Sequence, residues 1–195
     1  MAFDYLVGSQ LDGFELMVKL SDAPIVILEG DEYLSSPIDR RSKFMWYEPD
    51  VAIITGVAWD HINVFPTWEG YCEQFQLFAE TIKSDGSLIY YQNDEVLQKI
   101  ASKVSMKLII PDESLTQTVD QSVVTVTDGG ITYEMAVCGK HNLENMNAAI
   151  IACEQLGISR SDSLGALQQF TGTAKRLEKV YDQDDKVIFR DFAHS

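Results

Sequence analysis

The stretch IVILEGDEY, residues 25–33, runs from strand-like apolar residues straight into Glu29, Asp31 and Glu32. Acids at such a tip either hold a metal ion or cap the turn that follows. The chain has three histidines, each in a polar, loop-like context: His61 after Asp60 in VAWDH, His141 before Asn142 in CGKHNLENMNAA, and His194 in RDFAHS. A carboxylate from one strand tip and an imidazole from another can share a divalent cation. Mg²⁺ takes only one or two protein ligands and fills its remaining positions with water and phosphate oxygens. Asn142 and Asn145, three residues apart at a helix start, can share one helical face. Their amides either cap that helix or read the edge of a base.

These residues need elements to position them. Continuous apolar runs at 24–29 (PIVILE), 51–56 (VAIITG), 87–91 (SLIYY) and 106–110 (MKLII) read as strands, and most suit parallel strands buried on both faces. Between them, 67–83 carries Trp68, Tyr71, Cys72, Phe75, Leu77, Phe78 and Ile82 at helical spacing. Residues 93–103 start with Asn93 as a cap and acids in the first turn, the pattern of a helix N-terminus. The segments 121–127 and 131–137 flank DGG as a hairpin. An Ala-rich helix over 143–157 is closed by Gly157, and another over about 161–170 starts at Ser161–Asp162. Strand–helix alternation with a late hairpin predicts an α/β fold with a largely parallel central sheet flanked by helices. In such sheets ligands sit beyond the carboxyl ends of the strands, where Glu29, Asp60 and His61 fall. The chain ends abruptly after the strand-like KVIFRDF, and its start, FDYLVG, reads as a strand entered midway; both suggest a piece of something longer.

Thirty acids against fifteen Lys and Arg give a formal charge of −15 over 195 residues, spread along the chain. No basic cluster is present, so nucleic-acid binding is not expected. No apolar stretch reaches the ~20 residues that span a bilayer, and the N-terminus lacks a signal-peptide pattern, so no membrane association is expected. Cys72, Cys138 and Cys153 are far apart and set among apolar residues, as buried thiols in a reducing cytosol are.

Five segments, ILEGDE, AWDHINVF, GKHNLENMNAA, FTGTAKRLE and FRDFAHS, occur in the order and spacing of the Mur ligase family, which they resemble over nearly the whole chain. That resemblance implies an ATP-dependent amide-bond ligase of peptidoglycan synthesis, cytoplasmic and bacterial, with ATP and Mg²⁺ as cofactors. It implies that Glu29 binds Mg²⁺ beside the γ-phosphate and that His61 holds a second metal ion. His141, Asn142 and Asn145 match the segment that contacts adenine. Arg176 in KRLE and Asp191 in RDFAH resemble residues that close over the nucleotide and, with Glu29 and His61, form the implied catalytic set. His194 matches a histidine of the muramate-ligating branch, a candidate substrate contact.

Two departures from the family pattern stand out. The phosphate loop G-x-x-G-K-[ST] is absent and is expected upstream of residue 1. The lysine that some members carbamylate is also absent, with Gln76 at about its place, which fits the muramate-ligating branch. Within that branch DEYLSSPIDRRSKF, 31–44, is similar to the recycling ligases that join UDP-N-acetylmuramate to the tripeptide L-Ala-γ-D-Glu-meso-diaminopimelate. Arg40, Arg41 and Lys43 in this run are either a solvated basic turn or a surface facing an anionic substrate. The expectation is a central ATPase-type domain over 1–172 and the beginning of a C-terminal domain over 173–195. Without its phosphate loop, the piece is expected to bind nucleotide weakly and turn over poorly. The rival readings are an L-alanine-adding ligase with the same reaction, and a non-catalytic α/β binding module. Oligomeric state has no signature in the sequence.

Overall fold

The computed structural model describes residues 1–8, 16–105, 107–110, 115–120, 123–173, 178–183 and 186–190. The chain divides into two compact units, Met1–Gly30 with Phe170–Ser195, and Asp31–Gln169.

In the larger unit, β4 (Val51–Ile54), β5 (Ser87–Tyr91) and β6 (Lys107–Ile110) form a parallel sheet in that order. Ala52 stands opposite Leu88, and Leu88 opposite Lys107, so β5 is the central strand. All five of its residues are buried, as its uninterrupted apolar run implies. Helices α1 (Trp68–Thr81), α2 (Glu95–Ala101) and α3 (Lys140–Gln155) supply the remainder of the core: Tyr71, Phe75 and Phe78, then Leu97 and Ile100, then Ala148. The start of α1 is fixed by Thr67, whose Oγ1 accepts the Gly70 N–H at 3.2 Å. A 3₁₀ turn at Lys43–Trp46 adds Phe44, whose ring lies 4.7 Å from Phe78 and 5.6 Å from Phe75.

A second cluster joins an antiparallel sheet, β7 (Thr116–Asp120), β8 (Val123–Asp128) and β9 (Ile131–Met135), to α3 and α4 (Arg160–Leu167). Val126, Met135, Met146, Ile150 and Leu164 form its centre. The hairpin around Gly129–Gly130 was expected; β7 was not, because TQTVD has no apolar run. Its partner is read through threonines, with Thr118 and Thr125 hydroxyls 2.6 Å apart across the strands. Arg160 ties α4 to the hairpin, Nε donating to Asp128 Oδ2 at 2.9 Å.

The smaller unit holds β1 (Asp4–Leu6), which pairs antiparallel with β2 (Val18–Lys19) and parallel with β3 (Val26–Leu28). The PIVILE segment therefore pairs with the N-terminal strand in a sheet of its own, not with 51–56. Asp4 is buried and its carboxylate accepts the Ser21 N–H at 2.6 Å and the Ser21 hydroxyl at 2.7 Å. Those two bonds hold its pKa below the usual carboxylate range. In this unit too, β10 (Glu178–Gln183) pairs antiparallel with β11 (Lys186–Arg190). The terminal strand thus finds its partner in the residues just before it.

Candidate functional site

Each of the three acids of IVILEGDEY has partners of its own. Glu29 Oε2 accepts the Gly8 N–H at 2.6 Å. A methyl on Gly8 would stand 2.9 Å from Glu29 Oε1, so a side chain there would make the flexible carboxylate shift from this position. Asp31 turns the chain: Oδ1 accepts the Tyr33 N–H at 2.8 Å and Oδ2 accepts Lys43 Nζ at 2.5 Å. That bond raises the Lys43 pKa above the usual lysine value. Glu32 Oε1 accepts the Tyr71 hydroxyl at 3.2 Å and lies 3.4 Å from His61 Nε2. Burial, reinforced by the Glu32 charge, pushes the Tyr71 phenol up.

His61 follows β4 in a tight loop. Its φ is +54°, a left-handed conformation uncommon outside glycine. Asp60 Oδ1 accepts the His61 N–H at 2.6 Å, and the His61 carbonyl accepts from Val64 and Phe65 at 2.8 and 2.9 Å. The Tyr33 ring meets the imidazole edge-on, with centroids 4.9 Å apart and planes at 70°. Trp59 Nε1 donates to the Phe65 carbonyl at 3.0 Å, closing the loop from outside.

The third cluster starts α3. The helix begins at Lys140, three residues before its first apolar residue, and its N-cap is Gly139 at φ +101°. That left-handed φ is what calls for glycine; a Cβ there would lie 3.3 Å from the ring of His141, which is exposed and can give way. Gly139 N–H donates to Gln117 Oε1 at 2.9 Å, which binds this turn to β7. Asn142 does not cap the helix in the expected way: its Nδ2 donates back to the Cys138 carbonyl at 2.7 Å. His141 and Asn145 are exposed. The start of α2 likewise differs from expectation, since Asp94, not Asn93, accepts the Val96 and Leu97 N–H groups at 2.8 and 3.0 Å.

A cleft of about 570 Å³ opens at the carboxyl ends of β4 and β5, beside the first turns of α3. Thr55, Tyr91, Asn93, Lys140, Glu144 and Asn147 are among its lining residues. The Tyr91 hydroxyl is buried there with no hydrogen-bond partner among the described residues. Sequence reasoning missed the tyrosine because SLIYY reads as core throughout. An unpaired buried hydroxyl costs about 1–3 kcal/mol. Tyr91→Phe is therefore expected to raise stability by roughly 1 kcal/mol, measured by urea denaturation; a comparable loss would mean the hydroxyl is held.

The basic residues of the 31–44 run divide. Arg41 is paired with Asp39 through Nε and Nη2 at 3.0 and 3.1 Å and lies over the Trp46 ring at 3.7 Å. It holds the Asp39 pKa below the usual carboxylate range. Lys43 is engaged by Asp31. Arg40 is exposed and forms no ion pair among the described residues. Arg176, Asp191 and His194 lie outside the described residues. Among those described, no three His, Cys, Asp or Glu side chains group as a metal cage, and no helix is long and apolar enough to cross a membrane.

The pattern of the Mur ligase middle domain matches residues 14–153. The chain belongs to the Mur ligase family. It is 27% identical over 97% of its length to the UDP-N-acetylmuramate–L-alanyl-γ-D-glutamyl-meso-2,6-diaminoheptandioate ligase of Haemophilus influenzae, covering 44% of that protein. It is 26% identical over 97% of its length to the UDP-N-acetylmuramate–L-alanine ligase of a Roseiflexus species, covering 45% of it. The chain thus spans less than half the length of these curated relatives. Its fold is that of the UDP-N-acetylmuramate:L-alanyl-γ-D-glutamyl-meso-diaminopimelate ligase from Neisseria meningitides, with a TM-score of 0.74 at 23% identity over 88% of this chain and 58% of that one. The Thermotoga maritima MurF ligase, solved in complex with ADP, superposes with a TM-score of 0.72 at 17% identity over 96% of this chain and 46% of that one. The family and the α/β fold expected from the five motifs are thereby established, together with a ligase kind of activity among the relatives.

Proposed function

We propose that this chain is the nucleotide-handling core of a ligase that joins UDP-N-acetylmuramate to L-Ala-γ-D-Glu-meso-diaminopimelate in peptidoglycan recycling. The observation that carries this reading is the stretch DEYLSSPIDRRSKF, 31–44, similar to the recycling ligases, taken together with the 27% identity to a tripeptide ligase over 97% of the chain. We assign residues 1–172 to the central domain and 173–195 to the beginning of a C-terminal domain. A reaction between a nucleotide sugar and ATP belongs in the bacterial cytoplasm.

In this reading the muramate carboxylate attacks the γ-phosphorus of ATP, and ADP leaves. The tripeptide amine then adds to the acyl phosphate, loses a proton, and expels inorganic phosphate to leave the amide. Glu29 and His61 are the residues we assign to Mg²⁺. Glu29 is assigned to the ion beside the γ-phosphate and His61 to a second ion; Mg²⁺ takes only one or two protein ligands and fills its other positions with water and phosphate oxygens. The bound ion supplies charge compensation between carboxylate and triphosphate. His141, Asn142 and Asn145, at the exposed start of α3, are assigned to the adenine. Arg176 and Asp191 are assigned to closure over the nucleotide. His194, Arg40, Arg41 and Lys43 are assigned to the anionic substrate, Arg40 being the cation of its run without an ion pair among the described residues.

The L-alanine-adding reaction is the second reading, favoured by relatives of that name at 26–28% identity. Both readings require ADP release by the full-length gene product to depend on UDP-N-acetylmuramate and an amine together. ADP release independent of either substrate would contradict both; no ADP release at all would contradict both and favour a non-catalytic binding module.

A further inference from the structure

Glu32 was noted in the sequence only as the third acid of its run, and the proposed reaction gives it no role. Its surroundings are unusually specific. Tyr71, 3% exposed in the core face of α1, donates its hydroxyl to Glu32 Oε1 at 3.2 Å, fixing the carboxylate to a rigid helix. The same oxygen stands 3.4 Å from His61 Nε2. On the other side Tyr33 presents its ring edge to the imidazole, and Asn63 Nδ2 donates to the Tyr33 hydroxyl at 3.4 Å. The His61 backbone is held left-handed at φ +54° with its own N–H on Asp60. One partly exposed loop imidazole is thus held by its backbone and a ring, with a carboxylate 3.4 Å from Nε2.

We propose that Glu32 is a positioning residue that sets the tautomer of His61. A neutral imidazole carries one proton. With a carboxylate facing Nε2, the proton resides there and Nδ1 keeps the lone pair that a cation needs. A carboxylate behind a metal-binding histidine acts in this way generally, and losing it costs ~10–100-fold in metal affinity. The inference rests on the assignment of His61 as a metal ligand only for that last consequence; the tautomer itself does not depend on it.

The test is long-range ¹H–¹⁵N correlation spectroscopy on the 195-residue chain at a pH where histidine is neutral; with three histidines in the sequence, His61 is assigned by comparison with His61→Asn. Expected for the native chain is the Nε2–H form of His61. Glu32→Ala should shift it toward a mixture of tautomers, while Glu32→Gln, whose amide oxygen still accepts, should retain it. An Nδ1–H form in the native chain, or an unchanged ratio in a folded Glu32→Ala, overturns the proposal. A purely structural tie between the loop and α1 would leave the tautomer unmoved. Mn²⁺ affinity by calorimetry is read in parallel, with Glu32→Ala expected ~10–100-fold weaker. If the tautomer behaves as expected and the native chain takes up no Mn²⁺, the positioning stands and the metal assignment of His61 falls.

Discussion

His61→Asn is expected to lower ATP-dependent ligation by the full-length gene product by about 10²–10³-fold, with the fold intact. Compensation of charge by a bound cation is worth several kcal/mol in the transition state, and each 1.36 kcal/mol is about tenfold in rate. Asparagine is the better probe than alanine because His61 sits at φ +54°, a region that asparagine adopts readily and alanine does not. The side chain is about a third exposed and outside the hydrophobic core, so stability should move by no more than about 0.5 kcal/mol. Steady-state turnover and urea denaturation on the same preparation separate the two effects. Native turnover in the variant would remove His61 from the reaction; an unfolded variant would show that the loop, not the imidazole, is what matters.

Leu88→Ala has the largest expected effect on stability, about 2–5 kcal/mol. Leu88 has no exposed surface, sits on the central strand of the parallel sheet, and faces Ala52 on one side and Lys107 on the other. Its side chain belongs to the cluster that the helices cover, so its removal leaves a cavity in a packed core. Ile109→Ala serves as the comparison. It removes a similar volume from β6, yet Ile109 is 47% exposed, and its loss should fall well short of that at Leu88. Equal losses at the two positions would mean that another layer covers β6 in solution.

The central strand of the larger unit was legible because a strand buried on both faces needs an unbroken apolar run, and SLIYY has one; VAII has the run too, yet it buries only Ala52 and Ile54 and leaves Ile53 exposed. What escaped were features decided by single residues or by distant ones. The start of α3 was placed too late because Lys140, His141 and Asn142 carry no apolar signal; a glycine at φ +101° sets the boundary instead. The strand Thr116–Asp120 was missed because it is recognised through hydroxyl pairs across the sheet. Among the acids, Asp31 is settled by Lys43, twelve residues on, and Glu32 by Tyr71, thirty-nine residues on. No local pattern distinguishes those two from Glu29. The Tyr91 hydroxyl was hidden for the opposite reason, since a tyrosine inside an apolar run looks like packing until the cleft beside it is seen.

The most direct test of the proposed function supplies the full-length gene product with ATP, Mg²⁺ and UDP-N-acetylmuramate, and lets L-alanine compete with the diaminopimelate-containing tripeptide. Products are read by mass. Expected is predominantly the tripeptide adduct, which would also give the 31–44 stretch diagnostic value within the family. Predominantly the L-alanine adduct would contradict the recycling assignment and reduce Arg40, Arg41 and Lys43 to a surface turn.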